Sequence, residues 1–275
     1  MFKTNRHFIF SITSYLIILT ALLTSNCNKA NLDSPDHFER LFSGDMEVID
    51  LTYTVGKTSP YWPGKRGNPF VYDTLFAHKS GAPAMGSYFV PEHFGTHLDA
   101  PIHSADSMKS VDQLTSSELF GPAAVIDVSA ICSSDPDYRL KKVDILAWEK
   151  LYGKLPKGAI ILMYTGWSKK WPDYNAYINE DDNGQMHFPG FSPEAAQFLI
   201  NERNINGIGI DNLSVDAAIA NGFPVHGIVN GAGKIQLENV ANMHLLPPSG
   251  AYLILAPIKL EGGSGGQVRI FAVIP

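Results

Sequence analysis

The stretch PEHFGTHLDAPIHS, residues 91–104, sets His93, His97 and His103 within eleven positions, with Asp99 between the last two, in a chain of nine histidines. Counted from His93, His97 lies at +4, Asp99 at +6 and His103 at +10. All the offsets are even. An extended segment therefore turns every one of these side chains to one face, whereas a helix aligns the first two and swings Asp99 away. Gly95 and Pro101 also argue against a continuous helix. The residues read as an extended or looped strip that presents two imidazoles and a carboxylate to one point. Three N/O ligands with a position left open form the donor set of a catalytic transition-metal site. Zn2+ is the commonest occupant, and Mn2+ or Fe2+ are compatible because histidine and aspartate discriminate little among them. Such an ion lowers the pKa of a bound water toward ~7 and polarises a carbonyl, which equips a site for hydrolysis. A further nearby histidine, not needed as a ligand, is placed to carry a proton. The competing reading is a polar loop network held by hydrogen bonds, which HxxxH spacing alone does not exclude.

Elements on both sides must hold this strip in place. AAVIDVSA (123–130), AIILMYTGW (159–167) and INGIGID (205–211) read as short strands, and AYLILAP (251–257) and QVRIFAVI (267–274) as closing strands. VDILAWEKLYG (143–153) and SPEAAQFLINER (192–203) read as helices, the second opening on Ser192, Pro193 and Glu194. This alternation predicts a mixed α/β single domain over residues 46–275. The segment from Lys57 to Ala105 is rich in proline and glycine, so the histidine strip falls on a loop or strand end. Gly262-Gly263-Ser264-Gly265-Gly266 reads as a flexible or tightly turning loop between the last two strands. Trp167 and Trp171, with Tyr164, Tyr174 and Tyr177, either line an aromatic pocket or pack in the core. Asp211 and Asp216 read as hydrogen-bond partners of backbone or of neighbouring site residues rather than as a catalytic pair. Glu180 to Gly184 reads as a solvated turn.

A formal net charge of −6, without an acidic tail or lysine-rich run, leaves no footprint for nucleic acid or an anionic membrane surface. A small-molecule substrate remains as the expected partner. Lys3 and Arg6 precede a mostly apolar run from Phe8 to Leu23, which is a signal-peptide layout and short of the ~20 residues of a spanning helix. Residues 1–27 are therefore read as a signal peptide or lipoprotein signal and 28–45 as a polar tether. Cys27 sits where a bacterial lipoprotein carries its acylated cysteine, so the expected location is periplasmic, free or membrane-anchored through that lipid or an N-terminal anchor. Cys132 is then without an intrachain partner, and the fold does not rest on disulfides.

His93-Phe-Gly-Thr-His97-Leu-Asp99-Ala-Pro101-Ile-His103 resembles the HxGTHxDxPxH signature of the metal-dependent cyclase family, the group of kynurenine formamidase-like and isatin hydrolase-like proteins. The similarity extends to Thr165-Gly166-Trp167, to His187-Phe188-Pro189-Gly190, to Gly209 through Asp216, and to GGSGGQVRIFAV at the end. It covers roughly residues 46–275. Ser104 stands where the family commonly has Phe, a change in the pocket wall. The resemblance implies a swivelling β/β/α fold that assembles as a homodimer or homotetramer. It implies one or two Zn2+ per chain, with Mn2+ compatible. The first ion takes His93, His97 and Asp99; the second shares Asp99 and adds His226 and Glu238, which stand twelve residues apart in FPVHGIVNGAGKIQLENV. His103 takes the general acid–base role. The implied activity is hydrolysis of a small amide or lactam C–N bond, as in a kynurenine formamidase. The alternatives are a non-catalytic extracytoplasmic binding protein of the same fold, or a cyclase or dehydratase using the same site.

Overall fold

The run IILMY (Ile160–Tyr164) is a strand buried at all five positions, because both of its faces are covered. Ile161 and Met163 join one apolar cluster with Trp148, Phe198 and Leu199, while Ile160 and Leu162 join another with Leu98, Leu237 and Leu253. The same division runs through the whole sheet that this strand centres.

The computed structural model describes residues 37–64, 67–79 and 81–275. The signal region, Cys27 and the first part of the tether lie outside the described residues. Contacts divide the chain into the units Met1–Asp45 and Met46–Pro275. In the first, α1 (His37–Ser43) is described. The second runs β1 (Glu47–Asp50), β2 (Val71–Phe76), β3 (Met85–Phe89), β4 (His97–Asp99), α2 (Ser116–Leu119), β5 (Phe120–Asp127), α3 (Ser129–Cys132), β6 (Arg139–Leu140), α4 (Lys142–Tyr152) and β7 (Ile160–Tyr164). It continues α5 (Tyr174–Ile178), β8 (Gly190–Phe191), α6 (Pro193–Glu202), β9 (Gly207–Ile210), α7 (Pro224–Gly231), β10 (Ile235–Glu238), β11 (Ser249–Pro257) and β12 (Gly265–Ile274).

The main sheet has the order β1-β12-β11-β5-β7-β9-β10-β4, and β12 pairs with β4 as well, closing a barrel-like ring. β5, β7, β9 and β10 are parallel, and each step between them passes through a helical crossover, as parallel neighbours require. The remaining pairings of this sheet are antiparallel. The cluster containing Leu98 and Leu237 fills the inside of the ring, and the cluster containing Phe198 packs the helices on its outside. On the outside, Ser192 caps α6 by accepting from the Ala195 amide at 3.0 Å, with Pro193 at the first helical position. Just past that helix, Arg203 donates from Nε and Nη2 to both oxygens of Glu149 on α4, each at 2.7 Å, a bidentate clamp.

The glycine-rich segment before β12 differs from expectation. Gly262 makes the turn with φ +69°, but Gly265 and Gly266 are buried strand residues paired with Asp99 and Leu98. A Cβ on Gly265 would lie 2.6 Å from the Leu98 carbonyl oxygen and 2.7 Å from the His93 ring, so only glycine lets β12 approach the histidine strip this closely.

Candidate metal centre

β4 alternates its side chains. Leu98 points into the ring, so His97 and Asp99 turn to the opposite face. β10 pairs antiparallel with β4 in the register Leu237↔Leu98 and Glu238↔His97, which sets Glu238 beside His97 on that outer face. Gly95, at φ +67°, bends the chain before β4 and Pro101 opens a 3-10 turn ending at His103 after it. The even-offset expectation therefore describes His97 and Asp99, while the two bends place His93 and His103 by a different route. Their rings come back to within 3.9 Å of each other, centroid to centroid. His226 arrives from α7 and completes the set.

His97 Nε2 lies 3.3 Å from Asp99 Oδ1 and 3.3 Å from Glu238 Oε2. His226 Nε2 lies 3.5 Å from Asp99 Oδ2 and 3.3 Å from Glu238 Oε1. Two carboxylates thus stand between two imidazoles, and Asp99 Oδ1 also lies 2.7 Å from His93 Nδ1. These groups are held from behind. His97 Nδ1 meets the Gly95 carbonyl oxygen at 2.9 Å, which leaves Nε2 facing the carboxylates. His226 Nδ1 meets Asp216 Oδ2 at 2.7 Å, and Asp216 accepts from the Val225 and His226 amides at 2.8 and 3.1 Å, so one carboxylate holds both the first turn of α7 and the imidazole it carries. The Val215 amide donates to Glu238 Oε1 at 3.0 Å. His93 Nε2 meets Ser264 Oγ at 2.9 Å, and Ser264 donates in turn to Glu92.

Asp99 is wholly buried, and His97, His226 and Glu238 are 2%, 4% and 5% exposed. Burial opposes the charged form of every one of these groups. For His97, the Asp99 and Glu238 carboxylates override it and lift the imidazole to about 10; for His226, Asp216, Asp99 and Glu238 override it and lift the imidazole to about 12. Asp99 is held well below the usual carboxylate range by His97, His226 and His93 against the same burial. Burial and Asp99 push Glu238 up, but His226 and His97 outweigh them and keep it below its ordinary value.

The centre is therefore one that gathers positive charge. His97 Nε2 and Asp99 Oδ2 are buried without a hydrogen-bond partner, and such atoms are costly unless something else satisfies them. A divalent cation suits that donor set, and its binding would displace the imidazole protons. Two groups each bring one ligand atom per residue within 4.8 Å of one another: His97, Asp99 and Glu238, and His93, Asp99 and His103. The two groups share Asp99 and hold five of the six residues expected from the sequence; the sixth, His226, lies against Asp99 and Glu238.

The centre opens onto a pocket of about 390 Å3 walled by Tyr61, Trp62, Phe94, Ser104, Leu213 and Phe223. Of the two readings of Trp167 and its neighbours, pocket wall or core, the structure shows the core. Trp167, Tyr177 and Phe188 form a separate buried cluster against which Trp171 and Tyr174 pack, and Tyr177 Oη reaches the centre only indirectly, through Asn239 at 2.8 Å. Asp211 is also structural: it accepts from the Thr165 amide and hydroxyl at 2.9 and 2.6 Å and pins the turn after β7. Ser264, Glu92 and Asn239 were missed. Ser264 lies 172 residues from Glu92, beyond the reach of any local pattern.

Fold and site together define an α/β enzyme of the hydrolase type, with a buried histidine–carboxylate centre behind an aromatic pocket. The family model described as putative cyclase matches residues 49–217. An isatin hydrolase of Roseibium aggregatum is 33% identical over 251 residues, covering 86% of this chain and 95% of that protein. A kynurenine formamidase of Salinibacter ruber is 25% identical, covering 82% of this chain and 96% of that protein. The solved structure of isatin hydrolase A from Ralstonia solanacearum superposes with a TM-score of 0.80 at 33% identity, covering 90% of this chain and all of the other. The chain belongs to the cyclase family.

Proposed function

We propose that this chain is a metal-dependent hydrolase that opens the C–N bond of a small aromatic lactam of the isatin type. His93, His97, Asp99, His226 and Glu238 hold one or two Zn2+ or Mn2+, and His103 serves as general acid–base. The observation that carries this reading is the buried centre whose His97 Nε2 and Asp99 Oδ2 lack partners and which faces an aromatic-walled pocket of small-molecule size. The 33% identity to an isatin hydrolase along nearly its whole length favours a cyclic amide over an N-formyl amide.

When bound at these residues, a divalent metal would supply Lewis acidity for the carbonyl and lower the pKa of water toward neutrality. The chain's own groups do the rest. Tyr61, Trp62 and Phe223 offer flat apolar faces for an aromatic ring. Ser104, small where the family commonly has Phe, leaves room on one side of that ring. Burial, reinforced by His93 and His226, holds His103 below the usual imidazole value despite the nearby Asp99 and Glu238, so its neutral form prevails at pH 7. His103 can then accept a proton from water and deliver it to the leaving nitrogen, giving one carboxylate and one amine per lactam opened.

Metal analysis and turnover of isatin and N-formylkynurenine by the purified protein test this. Stoichiometric metal, with kcat/KM higher for isatin, is expected. His103→Ala should keep its metal and lose on the order of 10²–10⁴ in kcat. A protein without metal, or one that turns over neither compound, rejects the reading. We also propose export, supported by Lys3, Arg6 and the apolar run to Leu23; the N-terminal residue and mass of the mature chain test it, including a lipid on Cys27.

A further inference from the structure

Among the described residues, the buried side-chain atoms without a hydrogen-bond partner fall on four residues, His97, Asp99, Asn230 and Gln236. The first two belong to the centre described above. Gln236 stands out. It is wholly buried, and neither its amide nitrogen nor its amide oxygen has a partner. Such an amide costs the fold free energy, because folding strips it of the water that bound it in the open chain. Methionine has nearly the same length and volume and would carry no such cost, so a polar residue at this position calls for a reason.

Register and helix phase supply one. Gln236 of β10 pairs with Asp99 of β4 on one side and with Ile208 of β9 on the other, and directly paired residues share a face of the sheet. Ile208 belongs to the apolar cluster outside the ring. Gln236 thus emerges at the border between that cluster and the metal centre. α7 shows the same border: Val225 and Val229 join the cluster, whereas His226 faces the centre and Asn230 lies four residues on, along the same side of the helix. Asn230 Nδ2 donates to the Lys234 carbonyl at 3.0 Å, at the entrance to β10, which leaves Oδ1 as its unpaired atom. Behind His226 and Glu238, one turn along the helix and two residues along the strand, stand Asn230 and Gln236.

The unpaired atoms are complementary. A primary amide nitrogen has two hydrogens to give, and Asp99 Oδ2 and Asn230 Oδ1 are two buried acceptors that lack a donor. Asp99 Oδ1 is turned to His93 and His97, whereas Oδ2 has His226 Nε2 at 3.5 Å, a nitrogen that a bound metal would take. Other residue types at position 236 would serve Oδ2 worse. A lysine would neutralise Asp99 and compete with a cation, a glutamate would repel it, and an apolar residue would leave the carboxylate free to turn. We propose that Gln236, backed by Asn230, is a positioning residue of the metal centre: its amide holds Asp99 Oδ2 and so sets the shared carboxylate for a divalent cation without adding charge. The role rests on the metal-dependent reading of the centre.

Gln236→Met keeps the length and volume of the side chain and removes both polar atoms. Chelator competition should place its Zn2+ affinity about 10–100-fold below wild type. The metal-free variant should unfold in urea at the wild-type midpoint or above it, since an unpaired buried amide has gone. Asn230→Leu also takes a donor from the Lys234 carbonyl, so only its Zn2+ affinity is compared; that should fall by less than in Gln236→Met. The double variant should bind Zn2+ no more weakly than Gln236→Met alone, because both amides act through one contact. An affinity of Gln236→Met within two-fold of wild type overturns the proposal and leaves Gln236 as a core amide satisfied by local water. A urea midpoint that falls in step with the affinity also overturns it, as the mark of a packing residue. Additive losses in the double variant overturn the part given to Asn230. A wild type that takes up neither Zn2+ nor Mn2+ removes the metal reading itself, and this proposal with it.

Discussion

Two histidine–aspartate pairs in this molecule share a local geometry and differ in their surroundings. His226 Nδ1 lies 2.7 Å from Asp216 Oδ2, and His187 Nδ1 lies 2.9 Å from Asp137 Oδ2. The other nitrogen tells them apart. His226 Nε2 faces Asp99 and Glu238 in a buried centre at the floor of the pocket, where His97 Nε2 and Asp99 Oδ2 have no partner. His187 Nε2 faces Asp181 at 3.6 Å, an exposed carboxylate that already accepts from the Asn183 and Gln185 amides of its own turn. Water can solvate the surface pair whatever its charge. In the buried centre three carboxylates, Asp99, Glu238 and Asp216, have to be matched by cations brought in with them. The pair alone does not make a site; buried unsatisfied atoms at the floor of a pocket do.

The comparison breaks most readily at the buried end. His97→Ala removes a ligand donor and leaves Asp99 and Glu238 facing each other, so stoichiometric metal should be lost and kcat/KM should fall by at least about 10³-fold. His187→Ala should leave metal content and kcat/KM within about two-fold of wild type, since nothing in the pocket touches it. Equal losses in the two variants would erase the distinction. Asp216→Asn tests the layer behind the ligands: the His226 ring loses its charged partner but keeps a similar shape beside it. Metal affinity, measured by chelator competition, should drop about 10–100-fold; an unchanged affinity would mean that α7 alone orients the imidazole. Gly265→Ala should cost about 1–3 kcal/mol in urea unfolding, because its methyl would meet the Leu98 carbonyl and the His93 ring.

The sequence exposed these features unequally. Strands such as IILMY and helices such as the one opened by Ser192-Pro193 were legible because each carries its own signal, a continuous apolar run or a cap. The three-residue β4 and four-residue β10 are too short for a period to show, and α7 contains Pro224, Gly227 and Gly231, which hide it. His226 and Glu238 look like loop residues for that reason, and only the family resemblance singled them out. The glycine-rich segment misled because flexibility and close approach call for the same residue; Gly265 is there for the second. Ser264 and Glu92, far apart in the chain, meet at His93 through tertiary contacts that no local pattern encodes. The aromatic residues after β7 show the converse: clustering in sequence signalled a core rather than a pocket.

The surface pair supplies the smallest effect and the most direct test of charge. The Asp137 hydrogen bond raises His187 above the ordinary imidazole value, with burial pulling weakly the other way and Asp181 adding to the rise. A raised folded-state value means that the pair contributes in full below the unfolded value of about 6.5 and loses its contribution as pH rises through the folded one. His187→Gln should therefore cost at most about 1 kcal/mol at pH 5.5 and nothing measurable near pH 9, as suits side chains 27% and 29% exposed. Urea unfolding of both proteins at the two pH values measures the difference, and added salt should shrink it at the lower pH. A loss that stayed constant with pH would assign His187 a packing role, and the two pairs would then differ in kind as well as in setting.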